Sequence, residues 1–250
     1  MLQRPKERGD YETGAPRHRY QTPSLVESAP LQSLLSFSGR DISSVRQLDL
    51  LRPSTSTEAT VFYAGNIDLL QRRAVSIVGT RDVSEDGARR AGRLARELVE
   101  AGLVVMSGLA KGVDYFAHSS AVESNGSTVA VIGTPLDKAY PAENARLQEL
   151  IYREHLLISP FAIGSFVGKS NFPKRNRVMA LLSDATVIVE ASDTSGTLHQ
   201  AAECLRQGRW LFIMRNVAED SSLSWPAKFI GKPKVGVLTH TRELIAAVSG

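Results

Sequence analysis

Short runs of β-branched and other apolar residues alternate along this chain with amphipathic helical patterns, and this alternation most constrains the fold. The runs "AVSIVGT" (74–80) and "LVVMSG" (103–108) are separated by a helical pattern over 84–101. A buried strand followed by a helix, repeated, is typical of a parallel sheet covered by helices on both faces. The sequence therefore predicts an α/β, Rossmann-like fold with a mostly parallel sheet.

The same alternation continues to the end of the chain, so residues 59–250 are expected to form one Rossmann-like domain. Further strands are predicted over 60–65, 128–133, 155–159, 185–191, 210–214 and 235–240. Further helices are predicted over 111–124, 143–153, 174–183, 196–207 and 241–248.

The residues before this domain lack the alternation. Residues 1–30 mix Pro, Gly, Arg, Glu and Ser without periodicity, which predicts a disordered basic or polar arm. Residues 31–58 contain two short amphipathic pieces, "LQSLLSF" (31–37) and "VRQLDLLRP" (45–53), and they predict a short helical lead-in.

Composition narrows the class of protein. With 42% apolar and 22% charged residues, a chain of 250 residues can bury a full core. It has no apolar run near 18 residues and its start is polar, so we expect no membrane span, no secretory signal and a cytoplasmic location. The single cysteine, Cys204, excludes an internal disulfide and is expected in the core. A net charge of +4 permits an acidic partner.

The loops that follow the predicted strands should meet at one rim, where open α/β sheets bind ligands. They are rich in Gly, Ser, Thr and Asn, whose amides and hydroxyls suit phosphate. The rim loops are "GTR" (79–81), "SGLAKGVD" (107–114), "GTPLDKAYPAEN" (133–144), "SNFPKRNR" (170–177) and "EASDTSGT" (190–197). Their cations are Arg81, Lys111, Lys138, Lys174, Arg175 and Arg177.

One rim loop places its cations at the start of a helix. Pro173 suits a first helical turn, and Lys174, Arg175 and Arg177 follow it. The amino end of a helix already carries about +0.5 of an elementary charge, which disfavours cations there. A bound anion would remove this conflict, and pairing with carboxylates or exposure to solvent would relieve it as well.

Several other classes of site are excluded or disfavoured. "GTRDVSEDG" lacks the spacing of a dinucleotide-binding turn and of a P-loop, so no nucleotide cofactor is expected. The five histidines show no metal-ligand spacing, and His118 is expected to be structural, held by Asp114 four residues earlier. No nucleophile elbow surrounds Ser107, Ser195 or Thr197, so hydrogen bonding to phosphate is the simpler role for these hydroxyls.

Taken together, the rim motifs resemble those of the DNA-processing protein A (DprA/Smf) family. The matching stretches are "VSIVGTR", "VVMSGLAKGVDYFAH", "VAVIGTPLDKAYPAEN", "NFPKRNRVMALLSDATVIVEA" and "SGTLHQAAECLRQGR". The resemblance implies a homodimeric protein without established catalytic activity. It also implies that the protein binds single-stranded DNA in a basic pocket during natural transformation and helps to load a RecA-type recombinase.

Carried onto this chain, the resemblance assigns roles to rim residues. Arg81, Lys111, Lys174, Arg175 and Arg177 would hold phosphates, and Thr80 lies beside the first of them. Phe172 would either stack on a base or act as a wedge under its turn. Asn171 and Asn176 would fix the loop or donate to the DNA backbone. The glycines that would let the main chain approach the strand are Gly79, Gly108, Gly112 and Gly196.

An enzymatic alternative comes from the LOG-type phosphoribohydrolases, which this chain resembles in a Gly-Thr turn at a helix start. Those enzymes use Pro-Gly-Gly-x-Gly-Thr-x-x-Glu, whereas this chain has "SDTSGTLHQ" with Gln200 at the glutamate position. An amide cannot act as a carboxylate base, although Glu203 lies one helical turn later. A nucleotide-binding protein or nucleoside monophosphate phosphoribohydrolase is therefore the second interpretation.

Overall fold

The structure is a computed structural model, and it describes residues 18–40 and 59–249. Within these ranges the chain forms a nine-stranded sheet and eight α-helices. The strands are β1 (Glu27–Pro30), β2 (Thr60–Gly65), β3 (Ala74–Val78), β4 (Val104–Ser107), β5 (Thr128–Val131), β6 (Leu156–Ser159), β7 (Ala185–Ile188), β8 (Trp210–Met214) and β9 (Val235–Leu238). The helices are α1 (Leu31–Phe37), α2 (Glu85–Glu100), α3 (Val113–Glu123), α4 (Ala145–Glu154), α5 (Asn171–Leu182), α6 (Thr197–Arg206), α7 (Arg215–Ala218) and α8 (Thr241–Ser249).

The sheet has the order β1-β2-β6-β5-β4-β3-β7-β8-β9. Strands β1 and β2 pair antiparallel, as do β2 and β6, and every other neighbouring pair is parallel. The predicted Rossmann-like α/β fold with a mostly parallel sheet is thus confirmed. Because β3 lies between β4 and β7, strand order reverses beside β3, and open α/β sheets bind ligands beside such a reversal.

Side chains of the central strands alternate between two apolar layers, as a strand buried on both faces requires. In β3, Ala74 and Val78 belong to one cluster with side chains of α1, α5 and α6. Val75 and Ile77 belong to a second cluster with side chains of α2, α3 and α8. Helices therefore cover both faces of the sheet. Cys204 is fully buried in the first layer, as predicted.

The prediction of a disordered arm is wrong for residues 18–30. Strand β1 pairs with β2, and the segment before it is fastened to α4 by side-chain contacts. Periodicity could not reveal this segment because polar tertiary contacts hold it. Residues 1–17 and the expected helical piece over 45–53 lie outside the described residues.

The end of α1 is connected to the sheet through a buried ion pair. Nη2 of Arg40 lies 2.7 Å from Oδ2 of Asp184, which directly precedes β7. The same guanidinium donates hydrogen bonds to the carbonyl oxygens of Leu70 (2.5 Å) and Arg72 (2.7 Å). Asp184 also accepts a 2.8 Å hydrogen bond from the backbone N–H of Ala74. One ion pair thus joins the lead-in residues to the starts of β3 and β7.

None of the helices in the described ranges combines the length and the apolar character that crossing a lipid bilayer would require.

Candidate nucleic-acid interface

The loops after β3 and β7 and the first turns of α5 and α6 surround an open cleft of about 440 Å³. Parallel strands point their carboxyl ends to one edge, which is why loops so distant in sequence converge here. The predicted site residues that line this cleft are Gly79, Thr80, Arg81, Phe172, Arg175, Asn176, Ser195, Gly196 and Thr197. A small recess beside it adds Gly108 and Lys111. Most of the predicted rim residues therefore share one continuous surface.

The pair of Arg81 and Phe172 lies where the cleft and the recess meet. The guanidinium carbon of the exposed Arg81 lies 5.4 Å from the ring centroid of Phe172, within cation–π range. The half-buried ring also packs against Tyr140, at 5.9 Å between ring centroids. A Cβ atom at Gly133 would lie 2.7 Å from Phe172, so the ring lies almost directly on this main chain. Phe172 is thus positioned as a wedge and still contributes to the lining of the cleft.

The guanidinium group of Arg175 is buried and does not extend into solvent. Its Nη1 donates a 2.8 Å hydrogen bond to the carbonyl oxygen of Val131, at the end of β5. The buried carboxyl group of Asp114 also lies near this guanidinium. Burial raises the pKa of Asp114, and the positive charge of Arg175 opposes that rise. Because Arg175 faces a carboxylate, it adds less net positive charge to the cleft than an unpaired arginine would. Arg175 therefore serves more to form the floor of the cleft than to attract anions from solution.

The other cations of the α5 loop and its neighbours differ in placement. Nε of Arg177 lies 3.2 Å from Oε1 of Glu203, so this cation reaches toward α6. Nζ of Lys111 lies 2.8 Å from Oε1 of Glu143, and both side chains are more than half exposed. An exposed pair of this kind is worth at most about 1 kcal/mol, so Lys111 can exchange its carboxylate for a phosphate. Lys174 is exposed but does not line the cleft.

Three of the predicted residues lie beneath the rim loops and support their conformation. The buried Ser107 hydroxyl donates to the carbonyl oxygen of Ile77 at 2.6 Å and does not face the cleft. The side-chain amide of Asn171 donates to the carbonyl oxygen of Phe166, which fixes the loop before α5. Gly112 has φ +72°, and a Cβ there would lie 2.4 Å from the carbonyl oxygen of Thr80. Glycine is therefore required where the turns before α2 and α3 touch.

The start of α6 brings small polar groups to the cleft. The Thr197 hydroxyl donates to the carbonyl oxygen of Gly79 at 3.0 Å, and the Thr197 N–H donates to Oγ of Ser195 at 3.2 Å. A Cβ at Gly196 would meet no atom within 4 Å, so this turn leaves open space above it. An amino end of a helix beside open space favours a negatively charged group.

Sequence reasoning missed several residues that line the cleft and recess. Lys169 lies on the loop before α5, and Tyr140 lines the recess. Lys169 could have been found because it stands in a Gly-Lys-Ser sequence directly before the α5 motif. Tyr140 carried no such signal, because only the folded chain places its ring beside Phe172. His199 and Gln200 from α6 complete the lining.

The expected contact between His118 and Asp114 is corrected by the structure. Nδ1 of the buried His118 ring lies 2.7 Å from the Thr128 hydroxyl, and Asp114 instead accepts from the backbone N–H of Ala110 at 3.3 Å. Burial lowers the pKa of His118 to about 3, a shift that a hydrogen bond with backbone at Ser107 partly opposes. His118 is therefore a neutral core residue. Across residues 18–40 and 59–249, no three His, Cys, Asp or Glu side chains are grouped to hold a metal ion.

The sheet and its cleft define an α/β protein of the Rossmann-like class with a cationic cleft at the carboxyl ends of its parallel strands. The family model of DNA recombination-mediator protein A matches residues 47–248, and the chain belongs to that family.

Two curated relatives support this assignment. The chain is 42% identical to the DNA processing protein DprA of Streptococcus pneumoniae over 154 residues, which cover 62% of this chain and 54% of that protein. It is 39% identical to Protein Smf of Synechocystis over 171 residues, which cover 67% of this chain and 43% of that protein. The chain thus spans about half the length of these curated relatives.

Solved structures agree with the sequence relatives. The X-ray structure of S. pneumoniae DprA gives a TM-score of 0.68 at 37% identity and covers 75% of this chain and 65% of that one. A structure of DNA processing protein A from Helicobacter pylori, described for its single-stranded DNA binding mode, gives a TM-score of 0.68 at 26% identity. It covers 78% of this chain and 89% of that one.

Proposed function

We propose that this chain binds single-stranded DNA through the phosphate backbone in the cleft and acts in DNA processing in the cytoplasm. The observation that carries the proposal is the pairing of Arg81 with Phe172 at the junction of cleft and recess, 5.4 Å from guanidinium carbon to ring centroid. A cation beside an aromatic ring offers a phosphate contact and a stacking face together, which is how proteins hold single strands without reading sequence.

The remaining lining suits a backbone ligand. Lys169 and Lys111 contribute exposed cations, Asn176 contributes an amide, and the turn at Ser195 and Gly196 contributes a hydroxyl and open main chain. Asn176 lies on α5, whose residues 178–182 are buried and so cannot enter a major groove, and the other groups lie on loops. We therefore expect little sequence preference. The H. pylori relative, whose structure concerns single-stranded DNA binding, supports the same ligand class.

The enzymatic alternative is not favoured by the geometry around α6. The Gln200 side-chain amide donates to the Thr186 hydroxyl at 3.3 Å, beneath the cleft. The Glu203 carboxylate is 7% exposed and is paired with Arg177 and Arg206. Both of its oxygens are engaged, since the Gln207 amide also donates to Oε1 at 2.9 Å, so this carboxylate is not free to contact a substrate in the cleft. Incubation with nucleoside monophosphates tests this alternative: release of free base, abolished by Glu203→Ala, would favour it over DNA binding.

The family resemblance supports two further elements of the proposal. The protein is expected to form a homodimer and to assist a RecA-type recombinase during natural transformation. Analytical ultracentrifugation tests the first element, and a strand-exchange assay with a RecA-type recombinase and single-strand-binding protein tests the second. A sedimenting monomer at micromolar concentration would contradict the homodimer.

Fluorescence anisotropy with a labelled oligonucleotide tests the DNA-binding proposal. Arg81→Ala should lower affinity about tenfold or more, and the slope of log affinity against log salt should fall by about 0.7 for one lost phosphate contact. Arg96→Ala is the matched control, because Arg96 is an exposed cation on the fourth turn of α2. Equal affinities of the wild type and Arg81→Ala would contradict the proposal.

A further inference from the structure

A second hollow lies beside the recess, and its wall includes the N-terminal segment that the sequence predicted to be disordered. This outer hollow measures about 520 Å³. Its lining includes His18, Arg19, Tyr20, Asp137, Lys138 and Tyr140. Tyr140 also lines the recess that holds Arg81, Lys111 and Phe172. The ring of Tyr140, 49% exposed, is thus the shared wall between the recess and the outer hollow.

The segment that forms this wall is held in place by a set of hydrogen bonds. The Tyr20 hydroxyl donates to the carbonyl oxygen of Leu136 at 2.8 Å and accepts from the Gln148 amide at 2.9 Å. The backbone N–H of Gln21 donates to Glu149 at 2.7 Å. Burial raises the pKa of Tyr20, so its phenol stays protonated and keeps donating. The wall is therefore pre-organised, which lowers the entropy that a ligand must remove on binding.

Two cations of the outer hollow are available to a ligand. Arg19 is exposed and has no hydrogen bond or ion pair within residues 18–40 and 59–249. Lys138 is exposed and makes one 3.5 Å contact, from Nζ to the carbonyl oxygen of Ser165. His18 is already engaged, with Nε2 2.7 Å from Glu149. The negative charge of Asp137 offsets one of these positive charges. The outer hollow can therefore hold one or two phosphate groups, but its net positive charge is too small to attract anions in general.

The N-terminal wall is a feature of this chain beyond the family match. The family model matches residues 47–248, whereas His18, Arg19 and Tyr20 precede that range. The cleft, recess and outer hollow follow one another through shared residues, Arg81 and Phe172 between the first two and Tyr140 between the last two. Such a series of basic hollows with aromatic walls is what a continuous strand requires.

We propose that the outer hollow is a second subsite for single-stranded nucleic acid, in which Arg19 and Lys138 hold phosphates and Tyr140 offers its exposed ring face to a base. The inference rests on the proposed function, because the strand that enters this subsite is the one bound in the cleft. The N-terminal segment thereby lengthens the binding site and makes affinity depend on strand length.

Anisotropy with two labelled strands, of about six and about 20 nucleotides, tests the inference, since such sites cover about 4–16 nucleotides each. The variant is Arg19→Ala/Lys138→Ala, and Arg96→Ala is again the matched control. The double variant should bind the longer strand about tenfold more weakly, with a salt slope smaller by about 1.4 for two lost phosphate contacts. Its affinity for the short strand should match that of the wild type.

The outcomes separate this inference from the proposed function. The outer subsite is contradicted if Arg81→Ala weakens the binding of both strands while the double variant leaves both affinities unchanged. It is also contradicted if the double variant weakens the binding of both strands equally. The proposed function itself is contradicted if Arg81→Ala weakens the binding of neither strand. Both changed side chains are exposed, so thermal unfolding of the double variant should coincide with that of the wild type, and a lowered Tm would overturn the assignment of a binding role to them.

Discussion

Gly108 and the guanidinium group of Arg175 occupy adjoining space, such that a Cβ atom at Gly108 would lie 1.7 Å from Nη1 of Arg175. The turn after β4 therefore tolerates only glycine as long as Arg175 bonds to the carbonyl oxygen of Val131. This contact links the loop that carries Lys111 to the helix that carries Phe172, so the recess and the cleft depend on it together.

Gly108→Ala should displace Arg175 and leave Asp114 without its facing cation. We expect the free energy of unfolding to fall by about 1–3 kcal/mol, as overpacking of a filled interior does. Affinity for single-stranded DNA should fall with it, because α5 must shift. Urea unfolding and anisotropy measure the two effects.

Gly196→Ala is the matched control for this substitution. A Cβ at Gly196 meets no atom within 4 Å, and the residue has φ −60°, a conformation that alanine adopts without strain, so we expect the unfolding free energy to rise by at most about 1 kcal/mol. If both alanine variants were equally stable, the close packing of Arg175 on Gly108 would be contradicted.

Arg40→Ala should cost far more stability than its distance from the cleft suggests. Removing this buried partner leaves the Asp184 carboxylate, 7% exposed, without its main counter-charge. We expect a loss of about 3–5 kcal/mol in unfolding free energy by chemical denaturation. Arg73→Ala removes the exposed partner of the same carboxylate, at 3.2 Å, and should cost about 1 kcal/mol or less. Similar losses for the two variants would show that burial does not decide the strength of these pairs.

His118 should make stability depend on pH in acid. Its pKa is about 3 in the folded protein and 6.5 ordinarily, because burial disfavours the charged ring. Above pH 6.5 both states are neutral and His118 adds no pH dependence. As pH falls from there toward 3, only the unfolded chain takes up the proton, so the unfolding free energy should fall by about 1.4 kcal/mol per pH unit.

Denaturant unfolding at several pH values measures this slope, and His118→Asn should remove that part of it. An NMR titration of the folded protein gives a direct check, since the His118 ring should remain neutral throughout pH 5–8, well above its pKa. A midpoint near 6.5 would contradict the burial of this ring.

The sheet could be predicted from the sequence because its strands are short β-branched runs buried on both faces. The predicted strand over 210–214 coincides with β8, and the run over 74–80 contains β3. Helix α5 begins at Asn171, close to the predicted start near Pro173. Local patterning dominates at these positions, so propensity and tertiary structure agree.

The parts that sequence could not predict are those fixed by tertiary contacts. Tyr20 is ordered by a carbonyl group 116 positions away, and no periodicity encodes such a contact. The partners of Arg175 and Arg177 could not be predicted either, because Asp114 and Glu203 face these guanidinium groups only in the folded chain. The charge crowding at the start of α5 is therefore relieved in large part by internal carboxylates, while Arg81 and Lys169 remain exposed at the cleft.

The most direct test of the central claim places a fluorophore in the cleft by the substitution Phe172→Trp. The chain already contains Trp210 and the fully buried Trp225, so the fluorescence of the wild type is measured as the background. If single-stranded DNA binds between Arg81 and the ring at position 172, added oligonucleotide should quench the new tryptophan, and salt should reverse the quenching in parallel with anisotropy. Binding seen by anisotropy without any change in this fluorescence would show that the strand lies elsewhere on the protein.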